Sequence, residues 1–168
     1  MKAKVAENLQ EALFVVHDDE SADALKGLGT MHSQFEVTSE LSVFHHNMSK
    51  SFNTTRKSQD VLLDVDGCRV LLSHGKQEVK DSLGRGVRVR VIAEETENPQ
   101  TARDMFGFEH PLLTVKHISA PVPICMMIFD DKEVHLRLHK DNVPSFWSNN
   151  ANIINLCKTY FNEIWNKL

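Results

Sequence analysis

The densest run of chemically versatile side chains is His135-x-Arg137-x-His139-Lys140-Asp141, followed by Asn142. An imidazole can serve as nucleophile, general base or metal ligand, and a neighbouring cation can neutralise charge that develops on an oxygen. Period-two alternation puts His135, Arg137 and His139 on one face of a strand and Val134, Leu136 and Leu138 on the other. That is also the pattern of an ordinary strand with one wet side, which is the preferred reading. His135 and His139 share a face but have no defined carboxylate to complete a ligand set, so no metal or other cofactor is expected. A second group is Asp64, Asp66, Glu94 and Glu95, at the ends of two apolar runs. Open α/β sheets bind ligands beyond the carboxyl ends of their strands, although polar residues there are also common turn formers. A third is the stretch 142–150, with Phe146, Trp147, Ser148, Asn149 and Asn150. Rings that stack and amides that bond hydroxyls suit a sugar or another polar ligand, and the same rings would equally plug a core. The expected ligand set is therefore Asp64, Asp66, Glu94, Trp147, Asn149 and Asn150. His45-His46 sits on a helical stretch, where one of the pair must face sideways or out.

The elements that would position these residues follow from periodicity. Val5, Leu9, Ala12, Leu13 and Val16 make an apolar stripe on a helix over 2–16, and Ser21 caps a short second helix ending near Gly27 or Gly29. A longer helix is expected over 35–56, with Val37, Leu41, Phe44, Met48 and Phe52 on one face. The branched-apolar run 60–66 and the alternating run 87–93 read as strands. Between them Val70, Leu71, Leu72, Val79 and Leu83 fit a crossover helix, ended by Gly84-Arg-Gly86. Strand, helix, strand is a unit that builds a parallel sheet with a right-handed crossover. A polar helical stretch over 99–106 precedes strands at 113–118, 124–129 and 133–138, the last two joined by a hairpin turn at Asp130-Asp131-Lys132. Ile153, Leu156, Cys157, Tyr160, Phe161, Ile164, Trp165 and Leu168 close the chain as an amphipathic helix behind a cap within 148–150.

Composition narrows the function classes. With 168 residues and 41% hydrophobic side chains, the chain can bury one sizeable core but not two full α/β domains. A net charge of −4 with 25% charged residues describes an ordinary solvated surface, and direct nucleic-acid binding is not expected. The apolar runs fall far short of the roughly 18 residues of a membrane span, and the first residues carry Glu7 and Glu11 instead of a secretory apolar region. A cytoplasmic protein is expected. The three cysteines, Cys68, Cys125 and Cys157, are widely spaced in apolar surroundings, as reduced core thiols are.

The residues also suggest a family. The run 59–94, with its apolar strand, a helix ending in Lys-Asp-Ser-Leu-Gly-Arg-Gly86 and then Val-Arg-Val-Arg-Val-Ile92, resembles the phospholipase D-like domain of TrmB-type archaeal transcription regulators. Val115-Lys-His-Ile-Ser-Ala-Pro-Val-Pro123, Met127-Ile-Phe-Asp-Asp-Lys-Glu-Val134 and Phe146-Trp-Ser-Asn-Asn150 with the following Tyr-Phe-x-x-x-Trp helix look like the same module's strand, hairpin and closing helix. The resemblance covers 59–168 and rests on order and spacing. It implies an α/β fold: a phospholipase D-like half-domain over 58–168 with a mixed central sheet flanked by helices, preceded by a helical extension over 1–57.

Phospholipase D enzymes carry His-x-Lys-x-x-x-x-Asp at this hairpin, where His attacks phosphorus and Lys neutralises the phosphoryl oxygens. With Asp130 at the Asp place, Cys125 stands at the Lys place and Pro123 at the His place. Neither can do that work, since Pro has no nucleophile and a thiol in an apolar strand carries no positive charge. The resemblance thus implies a non-catalytic module of a regulator that senses a small polar ligand or binds a protein. A homodimer is expected by analogy with enzymes that assemble two such halves, and a full-length regulator is a possible partner. One alternative is a phosphodiesterase or nuclease using a displaced His135 or His139. Another is a DNA-binding regulator with a degenerate reader in 1–57, where the candidate recognition helix offers only Lys50 and Arg56 as basic residues.

Overall fold

In a computed structural model of the chain, the structure describes residues 34–95, 105–138 and 144–168. The chain divides into two units, Met1–Ser33 and Gln34–Leu168, and all described residues belong to the second. The helices expected over 2–16 and after Ser21 lie outside them, as do His139 and most of the polar stretch 99–106, whose last two residues, Met105 and Phe106, are buried in the core.

The elements run β1 (Phe35–Thr38), α1 (Leu41–Thr54), β2 (Ser58–Leu63), α2 (Val65–Val70), a π-helical turn (Leu71–Gly75), α3 (Lys76–Gly84), β3 (Arg88–Glu94), β4 (Leu113–Ile118), β5 (Ile124–Phe129), β6 (Glu133–Leu138), β7 (Ser145–Ser148) and α4 (Ala151–Trp165). They build a mixed seven-stranded sheet in the order β1-β7-β6-β5-β2-β3-β4. The β2, β3 and β4 strands are parallel, while β5 pairs antiparallel with β2, and β6 and β7 follow antiparallel. This is the α/β architecture expected from the sequence.

Both faces of the central strands are covered, which is why β2 is buried along almost its whole length. Alternate residues Val61 and Leu63 of β2, Val89, Val91 and Ala93 of β3, and Met127 and Phe129 of β5 join Phe44, Met48, Phe52, Leu71, Val79 and Leu83 of the helices in one core cluster. The other face presents Leu62, Ile92, Met126, Ile128, Val134 and Leu136, with Ile154, Cys157 and Phe161 of α4 buried on the same side. Asn150 caps α4 by accepting from the N–H groups of Asn152 and Ile153, as the sequence indicates.

Several expectations need correction. Residues 35–38 are a strand and not the start of a helix, because they pair with 145–148 and so complete a sheet edge. Those four residues were read as part of a loop, and they form β7. The boundary at 57/58 therefore falls inside the folded unit, since β1 joins the sheet and α1 supplies Phe44, Met48 and Phe52 to the core. The strand expected over 60–66 ends at Leu63, where Asp64 turns the chain into α2. Finally, the His135 side of β6 is not wet: α1 covers it, and His135 is only 1% exposed.

The hairpin between β5 and β6 forms as expected. Asp130 and Asp131 both take positive φ, 53° and 56°, the pair of left-handed residues that matches the twist of the flanking strands. Asp tolerates this conformation better than most residues with a Cβ.

Candidate functional site

At the carboxyl end of β2, where the parallel strands meet antiparallel β5, lies a cavity of about 150 Å³. Its apolar wall comes from Phe44 and Met48 of α1, Leu63 of β2, Val70 and Leu71 near the π turn, and Met126 and Met127 of β5. Polar groups enter from Asp64, Asp66, Cys125, His135 and Arg137. The strand register explains the grouping: Cys125 faces Arg137, and Met127 faces His135, across the β5–β6 ladder.

Each polar group has a local cause. Asp64 is buried and caps α2, its Oδ1 accepting from Gly67 N at 2.6 Å. Gly67 suits this place, because a Cβ there would lie 2.8 Å from Cys125 Sγ and 3.0 Å from Asp64 Oδ1, and those side chains would have to shift. Asp66 is exposed at the rim and pairs with Arg69 at 2.8 Å. Burial raises the Cys125 thiol well above its ordinary range, so it is a neutral thiol and not a thiolate. Burial likewise pushes Cys68 up to about 12, with Asp64 and Glu94 adding to the rise.

His135 is the most constrained of the set. Its ring packs edge-on against Phe129, with centroids 5.5 Å apart, and against Phe44 at 6.0 Å. Nε2 lies 2.8 Å from Ser51 Oγ on α1, and the Ser51 hydroxyl in turn donates to the Asn47 carbonyl at 3.1 Å. A hydroxyl has one proton, so both contacts are satisfied only when Nε2 carries the hydrogen and donates to Ser51. Nδ1 is then a bare acceptor, and it is buried without a partner among the described residues. Burial lowers the ring to about 4, which keeps it neutral near pH 7.

The remaining sequence candidates do not converge on this cavity. Glu94 accepts from Val122 N at 3.0 Å, tying the end of β3 to the segment before β5. Glu95 donates its backbone N–H to Ile118 O at the end of β4. Trp147 donates Nε1–H to Glu133 at 2.8 Å, Asn149 accepts from Gln34 N at 2.7 Å, and Asn150 is the α4 cap. These three hold the β7 edge and the entry to α4. Of the expected ligand set, only Asp64 and Asp66 line the cavity.

The three residues that the resemblance would match to the enzymes' motif lie before and at the turn. Pro123 is exposed just before β5, Cys125 is on the cavity wall, and Asp130 opens the hairpin. Asp130 accepts from the N–H groups of Arg56, Lys57 and Ser58 at 2.9, 2.7 and 3.0 Å. Partial burial pushes its carboxyl up, but the three N–H bonds and the charge of Lys132 outweigh that, and the net shift is down. His45 is half-buried beside Phe44 and His74, and its partner in sequence, His46, points to solvent.

What the sequence reading missed were Gly67 and the inward aim of His135. The last was within reach: a turn at 130–132 sets Phe129 opposite Glu133, which puts His135 beside Met127 on the core face. Among the described residues, no group of three His, Cys, Asp or Glu is placed to hold a metal ion, and no helix is long and apolar enough to cross a membrane.

The sheet order, the parallel β2–β3–β4 set and the β5–β6 hairpin define a phospholipase D-like fold. Solved structures with this fold include TrmBL2, described as an archaeal chromatin protein that shows a novel mode of DNA binding, at TM-score 0.65 and 15% identity. That match covers 96% of this chain, and the chain spans 64% of the length of TrmBL2. NucT from Helicobacter pylori matches at TM-score 0.65 and 14% identity over 80% of this chain and 97% of its own. Nuc from Salmonella typhimurium, a phospholipase D family member, matches at TM-score 0.50 and 13% identity over 80% of this chain and 95% of its own. No protein-family model matches the sequence, and no curated protein does either.

Proposed function

We propose that this chain is a non-catalytic regulatory module that senses a small molecule in the cavity beside Cys125. The reading is supported by the motif register that the resemblance implies, in which an exposed Pro123 and a half-buried, neutral Cys125 take the places of the His and Lys of a phospholipase D enzyme. His135, the displaced alternative, is held by Ser51 and enclosed by Phe44 and Phe129, so its ring is not presented to a phosphodiester. The likeness to TrmBL2 favours a role in gene regulation, with the module acting as a homodimer or beside a full-length regulator.

The test is a thermal-shift survey of the intact chain against metabolites no larger than the cavity admits. A ligand that binds the native state alone raises the melting temperature in proportion to its saturation. At least one hit is expected, lost on Val70→Phe, which fills the cavity from its wall. A silent panel, with a dimer in light scattering, would replace ligand sensing with a protein-interaction role.

A further inference from the structure

We infer that the cavity binds a zwitterionic apolar amino acid of leucine size, with Arg137 taking the carboxylate, Asp64 drawing the ammonium and the apolar wall enclosing the side chain. The inference rests on the ligand-sensing reading and adds the chemistry of the ligand.

The charges on the wall set the first requirement. Asp64, Asp66 and Arg137 all line the cavity. Asp66 is balanced at the rim by Arg69, 2.8 Å away, which leaves one anion and one cation. Arg137 is half-buried on β6, two residues beyond His135 and so on the same face, the one that α1 covers. Its charge reaches that helix: after burial and His74, it is the third cause that lowers His45. Arg137 has no hydrogen-bonding or ion-pair partner among the described residues. Asp64 is 3% exposed and caps α2 through Gly67 N. A carboxylate accepts about four hydrogen bonds, so an ammonium adds to the cap bond without displacing it.

The two charges flank one strand. The point where a Gly67 Cβ would stand is 3.0 Å from Asp64 Oδ1 and 2.8 Å from Cys125 Sγ, and Cys125 pairs with Arg137 across the β5–β6 ladder. With neighbouring strands about 4.8 Å apart, the backbones that carry Asp64 and Arg137 bracket a span of roughly 10 Å. Charge balance then discriminates among guests. A plain carboxylate meets Arg137 but is repelled by Asp64, and a plain amine meets the reverse; a molecule with both groups on one carbon satisfies both.

The rest of the wall sets the second requirement. Phe44, Met48, Leu63, Val70, Leu71 and Met127 offer dispersion contacts and no hydrogen bonds from their side chains. The cavity of about 150 Å³ matches the size that admits a single benzene-like ring, which is room for a side chain of roughly four to six heavy atoms. Aliphatic and thioether amino acids meet both requirements, and the methionines let the wall adapt to branched or unbranched side chains.

The probes are L-leucine, isocaproate, which lacks the ammonium, and isopentylamine, which lacks the carboxylate, titrated calorimetrically into the intact chain at neutral pH. Leucine is expected to bind at least about tenfold more tightly than either, the worth of one hydrogen bond to a charged group. Arg137→Gln should weaken leucine by about tenfold or more and leave isopentylamine unchanged. Asp64→Asn, which keeps a capping oxygen and removes the charge, should weaken leucine and leave isocaproate no weaker. If one variant does not fold, the other variant and the three-probe comparison in the wild type decide. Equal affinities for the three probes, or leucine binding unchanged in Arg137→Gln, overturn the zwitterion assignment while leaving ligand sensing intact. Leucine binding that persists in Val70→Phe overturns the assignment to this cavity. If no probe binds and the metabolite survey still yields a cavity ligand, this inference alone fails; if both experiments are silent, the sensing reading falls with it.

Discussion

The two faces of the sheet treat buried polar groups in opposite ways. On the α4 face, Arg90 donates to both oxygens of Asp60 at 2.7 Å and to Asn162 Oδ1 at 3.1 Å, while its guanidinium lies over Phe161 and Trp165. Every strong demand of that ion pair is met. On the face covered by α1, α2 and α3, Gln59 Oε1, His117 Nε2 and His135 Nδ1 have no partner among the described residues, nor does His45 Nε2 on α1 itself. That face also holds the cavity. One face is built to close, and the other keeps room and an unmet acceptor beside the motif positions.

The contrast is broken most severely on the closed face. Arg90→Met should leave Asp60, only 3% exposed, as an unpaired buried carboxylate and cost about 3–5 kcal/mol in urea unfolding. A loss below about 1 kcal/mol would mean that the pair is dispensable. On the open face the corresponding probe is pH. His135 titrates near 4 in the fold against about 6.5 unfolded, so the unfolded chain binds more protons between those values. Stability contributed by the neutral ring is full above the unfolded value and is lost as the pH falls toward 4, an effect on the order of 2–3 kcal/mol. His135→Phe should flatten that part of the stability–pH curve, and a wild-type curve level between pH 6.5 and 4 would argue against burial of the ring.

Asp130→Ala removes three backbone bonds at the hairpin and should cost about 2 kcal/mol. Because its folded pKa is depressed, the aspartate's contribution is present above the unfolded value and lost as the pH falls through the folded one, so the variant should also be less sensitive to strong acid. Gly67→Ala is the mildest, at roughly 1–2 kcal/mol, since Cys125 Sγ and Leu63 must give way around the new methyl. Cys125→Ala in the same background should recover part of that loss. Non-additivity of the two in thermal unfolding would confirm that the first turn of α2 rests on the motif strand.

The central strands were legible because their signals are local. The apolar run of β2, the alternation of β3, the Asp-Asp turn and the Asn150 cap each lie within a few residues of the chain they shape. The β1 and β7 strands were not, because they are four residues long and find each other across more than a hundred residues. Phe35, Val37 and Leu41 also fit a helical stripe, so spacing alone favoured the wrong period. Within the site, Asp64 and Cys125 were visible by type and place, but Asp64 was read as a strand end because its cap partner, Gly67, was not weighed. The depth of His135 depends on α1 lying across β6, a tertiary fact that alternation does not encode.

The most direct test of a silent module is phosphodiester hydrolysis by the purified chain, followed with bis(p-nitrophenyl) phosphate and with single- and double-stranded DNA under single-turnover conditions. The account predicts release indistinguishable from buffer, and the same for His135→Ala and His139→Ala. Release above the blank that disappears in either histidine variant would contradict it.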